Sequence, residues 1–133
     1  MSNREFLFQG KSMDTGKWIE GYGCIHVPGM YLTHIIHKSS MNIHQHSEVV
    51  PGTLCQYIGL LVKQEEENGQ VSDQKAFEHD IVFNENWTPT TYEIVFEDGE
   101  FLLRNETAYA PIEYLKDFVR IGNSIDNPEL LNP

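Results

Sequence analysis

The chain has 133 residues, enough for one domain or two very small ones, and 40% of them are hydrophobic. No apolar run approaches the roughly 20 residues a membrane helix needs, so no membrane partner is expected. The net charge of -11 is unevenly placed: residues 1–64 carry five Lys/Arg and four Asp/Glu, and residues 65–133 carry four and 16. An acidic second half repels nucleic-acid phosphate and anionic lipid, so direct nucleic-acid binding is not expected either.

The first residues lack the apolar segment and cleavage site of a secretion signal, which points to the cytoplasm. The two cysteines, Cys24 and Cys55, are too few for a disulfide framework and read as free thiols, with Cys55 a small buried residue.

Taken in order, Arg4–Phe8 reads as a short first strand, and Met13–Lys17 has turn composition. Lys17–Val27 reads as one strand interrupted by Gly21 and Gly23, which signal a bulge or a close backbone approach. Met30–Ile36 is a third strand. Lys38–Val50 is polar, rich in histidine and without a period, and reads as a loop or an irregular edge. Leu54–Leu61 is an apolar run that opens after the turn Pro51-Gly52-Thr53, and Gln64–Gln74 reads as an exposed loop. Asp80–Phe83 is a short strand, and Asn84–Thr90 a loop carrying Trp87.

The strongest local signal follows. Asp98-Gly99 is a two-residue connection suited to a tight hairpin, because both positions accept φ > 0. Pairing the arms around it sets Phe96 opposite Phe101, Ile94 opposite Leu103, Val95 opposite Leu102 and Glu93 opposite Arg104. Such pairs favour the register by up to roughly 1 kcal/mol each, and only Glu97 against Glu100 opposes it. Ile112, Leu115 and Val119 then fall at helical spacing, which predicts one short helix near 111–118, with Pro111 tolerated at its start. Val119–Asn123 reads as the last strand, and Asn127–Leu131 as a tail able to form one helical turn. The fold class is mostly β.

Chemistry is sparse. Five of the six histidines, His26, His34, His37, His44 and His46, fall close together. A metal centre needs several ligands converging within bond distance. On a strand, His34 and His37 point to opposite faces, while His44 and His46 share one that Glu48 could join. The spacing matches no established metal pattern, so His34, His37, His44, His46 and Glu48 are candidates only against solvent-exposed histidines as the simpler reading. No GxSxG, P-loop or GxGxxG is present, and no catalytic residue or cofactor is assigned. Trp87, Glu97, Asp98 and Glu100 are the candidate partner contacts.

Several blocks in order resemble the YopX family of phage- and prophage-encoded proteins. They are Gly16-Lys17-Trp18-Ile19-Glu20-Gly21-Tyr22, Val50–Leu60, Phe77-Glu78-His79-Asp80-Ile81-Val82, Val95–Phe101 and Ile121–Leu131. The chain departs from the family pattern at Cys55, at Ile58 and at His79, where the family often has Gly before Asp-Ile-Val. The resemblance implies an N-terminal sheet (about 3–62) packed on a small SH3-like C-terminal barrel (about 76–125), with no assigned activity. The expected function is a non-enzymatic protein-binding or accessory role in a bacterial host. The alternatives are an acidic mimic of nucleic acid and a metal-dependent enzyme using the histidine segment. A homo-oligomer, with Met30–Ile36 and the histidine segment covered across a symmetry axis, is a further expectation.

Overall fold

The computed structural model describes residues 7–27, 32–38 and 44–131. These residues are mostly β, with twelve strands, two 3-10 turns and no α-helix among them. The chain divides into two compact units, Met1–Tyr57 and Ile58–Pro133, so the division falls inside one strand.

In the first unit, β1 (Phe8–Lys11) and β2 (Trp18–Gly21) form an antiparallel hairpin. Ser12 Oγ accepts from the backbone N–H groups of Asp14 and Thr15 and so shapes its turn. β3 (Gly23–Val27), β4 (Leu32–Lys38) and β5 (His44–Glu48) make a three-stranded antiparallel sheet. Thr33 and Ile35 on β4 are fully buried, as is Val49 just after β5.

The expected single strand from Lys17 to Val27 is two strands in separate sheets, broken at Tyr22. Gly21 is the reason. A Cβ there would lie 2.2 Å from the Ile36 carbonyl oxygen and 2.3 Å from Ile35 Cγ2, so only glycine lets β2 end against β4. The polar segment expected as a loop or an irregular edge contains β5, which is an edge strand of the three-stranded sheet. Gln45, His46 and Glu48 face solvent there, so the strand carries no apolar alternation and owes its order to the ladder with β4. Residues 4–6, Met30, Tyr31 and residues 39–43, which belong to other expected elements, lie outside the described residues.

The second unit is built from β6 (Cys55–Glu65), β7 (Val71–Phe77), β8 (Asp80–Phe83), β9 (Thr91–Glu97), β10 (Glu100–Arg104), β11 (Tyr109–Pro111) and β12 (Val119–Asn123). The strand order is β11-β10-β9-β8-β12-β6, with β7 on β6. The β9–β10 register is the one expected, and Asp98 (φ 51°) and Gly99 (φ 83°) form its turn. The exposed loop expected over 64–74 is instead the ends of β6 and β7 around a turn at Glu66–Gln70. Both arms face water, so composition alone hides them. The expected helix is the 3-10 turn Ile112–Asp117, which begins after the extended Pro111 and buries Leu115. Ile58, Val62, Ala76, Val82, Ile94, Leu103 and Phe118 form one core to which strands across the sheet contribute.

Candidate functional site

Two features of the second unit hold polar groups in defined positions. The first centres on Glu93, on the face of β9 opposite Ile94. It is only 8% exposed, enclosed by the side chains bonded to it on a strand against which the 3-10 turn Pro128–Leu131 packs. Its Oε2 accepts from His79 Nδ1 at 2.8 Å and from Ser124 Oγ at 2.7 Å, and its Oε1 lies 3.7 Å from Arg104 Nη2. His79 has φ 76°, a conformation a non-glycine residue rarely adopts. Backbone bonds hold it there: its N–H donates to the Ile94 carbonyl (2.7 Å) and its carbonyl accepts from Ser124 N–H (2.9 Å).

Electrostatics follow from this geometry. The hydrogen bond to Glu93 raises the His79 pKa despite partial burial. Burial alone would raise Glu93, but the bonds from His79 and Ser124, with the charges of His79 and Arg104, hold it below its ordinary value. His79 and the Ser124 hydroxyl meet on the same carboxylate oxygen rather than on each other. The imidazole therefore does not activate the hydroxyl, and the cluster acts as a clamp joining the β8 entry, β9 and the end of β12.

A second clamp lies at the start of β8. Arg120 donates to Asp80 Oδ2 at 2.9 Å, to the Lys75 carbonyl at 3.0 Å and to Gln64 Oε1 at 2.9 Å. Burial raises the Asp80 pKa, and the Arg120 charge and the Phe77 N–H oppose that rise. Every described buried side-chain nitrogen and oxygen has a partner.

The second feature is a groove of about 440 Å³ between β10, β11 and the 3-10 turn Ile112–Asp117. Phe101, Leu102, Ala110 and Ile112 supply its apolar lining. Glu100 and Glu113 are its charged residues, and no basic side chain lines it among the described residues. β10 and β11 are paired neighbours in the sheet and the 3-10 turn follows directly, so the groove depends on the return of the chain after Arg104.

The sequence candidates are distributed as follows. Glu97 is bonded by Arg104 Nη1, so the charge that opposes the hairpin register is answered within the chain. Glu100, across from it, lines the groove and is exposed. Asp98 sits in the turn. Trp87 packs with its ring centroid 5.0 Å from Phe118, 5.3 Å from Tyr114 and 6.0 Å from Tyr92, against the core rather than out in solvent. His34 and His46 meet, with Nδ1 atoms 3.1 Å apart, while His37 bonds Ser47. His44 and Glu48 lie in β5, Glu48 opposite His34. No three His, Cys, Asp or Glu side chains converge as metal ligands among the described residues. Cys55 is buried and Cys24 half-buried, both as free thiols.

Sequence reasoning passed over Ala110, Ile112 and Glu113, and also the His79–Glu93–Ser124 cluster. The sequence signal for the cluster is Glu93 set opposite Arg104 in the hairpin. No family model, curated protein or solved structure matches the chain. No helix among the described residues is long and apolar enough to cross a membrane.

Proposed function

We propose that the protein is a non-enzymatic binding module whose groove between β10, β11 and the 3-10 turn takes a basic protein segment carrying an apolar anchor. The observation that carries this reading is the groove's composition: an apolar lining with Glu100 and Glu113 and, among the described residues, no cation. An aromatic or aliphatic side chain fills the apolar part, and flanking Lys or Arg meets the carboxylates. Complementary charge steers the encounter and excludes acidic segments, while the apolar anchor supplies most of the affinity. Glu97 plays no part, because Arg104 already neutralises it.

The acidic-mimic alternative draws less support. Asp80 and Glu93 are buried in ion pairs and Glu97 is bound to Arg104, so these late carboxylates do not present a free anionic face. The resemblance to the YopX family supports an accessory role in phage or prophage gene expression within a bacterial host.

Selection from a random peptide library tests the reading. Enriched sequences carry Lys or Arg beside an aromatic or aliphatic residue, and Glu100→Lys with Glu113→Lys abolishes their capture. Enrichment of acidic sequences, or capture that survives both charge reversals, contradicts it.

A further inference from the structure

The three-stranded sheet of the first unit holds a pair of side chains that the groove does not involve. His34 on β4 and His46 on β5 are diagonal neighbours across the ladder, since His34 pairs with Glu48 and Ile36 with His46. Side chains on such a diagonal lie on one face within reach of each other. Their Nδ1 atoms are 3.1 Å apart and their ring centroids 5.0 Å, with the rings inclined at 63°. His46 is exposed and His34 half-buried, so the pair opens to water.

We propose that His34 and His46 form a two-nitrogen chelate for a divalent transition-metal ion, with Cu(II) the preferred ion. Two imidazole nitrogens bound to adjacent positions of one ion, at about 2.0–2.1 Å each, stand about 3 Å apart, which is the spacing this sheet already imposes. Without the ion, one Nδ1–H donates to the other Nδ1. On binding, the donor ring carries its proton on Nε2 instead, and both Nδ1 lone pairs face the ion; no proton is lost overall. Imidazole suits copper, nickel and zinc, and copper binds nitrogen sites most tightly of the three. Glu48, opposite His34, adds negative potential beside the pair. Water completes the coordination, since no third described side chain converges there.

The ladder brings the two rings together in advance, and binding turns them so that both Nδ1 lone pairs leave the line between them and point at the ion. His37 is the internal control. It is engaged with Ser47, 2.9 Å away, and sits an odd number of positions from His34, on the opposite face.

Titration of the full chain with CuCl₂, followed by calorimetry and electron paramagnetic resonance, tests the proposal. One Cu(II) per chain is expected, with nitrogen couplings from two imidazoles and weaker binding of Ni(II) and Zn(II). His34→Ala and His46→Ala each weaken binding at least tenfold, and His37→Ala leaves it unchanged. His34→Gln and His46→Gln, checked for an unchanged melting curve, separate ligand loss from misfolding. Copper binding that survives both the His34 and His46 substitutions, or a spectrum without two imidazole nitrogens, overturns it.

Discussion

At the scale of single residues, the His79–Glu93 contact makes the second unit's stability depend on pH. The folded pKa of His79 is raised, so its contribution is complete below about 6.5, the ordinary histidine value, and is lost as pH rises through the folded value. The folded pKa of Glu93 is lowered, so its contribution is complete above the ordinary carboxylate range and is lost as pH falls through the folded value. The pair therefore stabilises most in mildly acidic solution, between the two. Denaturant midpoints measured from pH 4 to 9 should rise to a maximum in that window, and Glu93→Gln should flatten it. An unchanged profile in Glu93→Gln contradicts the assignment. Arg120 is the other residue with a large expected effect. Arg120→Met leaves the Asp80 carboxyl, 3% exposed, without its cation, and should cost about 3–5 kcal/mol in urea unfolding. A loss under about 1 kcal/mol would mean the Phe77 N–H suffices. The sequence shows Glu93 opposite Arg104 but not its burial. The groups around it, His79, Ser124 and the turn Pro128–Leu131 packed on β9, lie far from it along the chain, and no local pattern carries such contacts.

At the scale of elements, legibility followed hydrophobic alternation and turn chemistry. The hairpin from Thr91 to Arg104 was readable to the residue, because Asp98-Gly99 sets the turn and the apolar pairs set the register. The strands β5, late β6 and early β7 were not, because, Val71 apart, their exposed residues are polar and their order is borrowed from partner strands. Lys17–Val27 was readable as extended but not as two strands, since the break depends on how closely β4 approaches Gly21. Two glycines should therefore respond differently to alanine. Gly99→Ala strains a backbone at φ 83° with open space around it, and should cost roughly 1–2 kcal/mol. Gly21→Ala drives a methyl into the Ile36 carbonyl, and should cost at least as much, roughly 1–3 kcal/mol, while also disturbing the β3–β4 amides. Amide exchange by NMR distinguishes the two: changes confined to the hairpin for Gly99→Ala, and spread through β2, β3 and β4 for Gly21→Ala. Spread in both cases would contradict the close-approach explanation.

At the scale of the molecule, the acidic bias of the second half resolves into carboxylates with different roles. Asp80, Glu93 and Glu97 are engaged by basic side chains, whereas Glu100 and Glu113 line the apolar groove. The sequence singled out Glu97 and Glu100 together as candidate partner contacts. The structure keeps Glu100 at an open surface and gives Glu97 an internal partner. The groove could not be read in advance, because it forms only where β11 and the 3-10 turn fold back beside β10. The most direct measurement is an NMR titration of the ¹⁵N-labelled chain with a peptide pairing Lys or Arg with an aromatic anchor. Shifts concentrated at Phe101, Leu102, Ala110 and Ile112, with affinity lowered at least about tenfold in Glu100→Lys/Glu113→Lys, are the predicted result. Shifts centred elsewhere, or an affinity indifferent to those two carboxylates, would contradict the account.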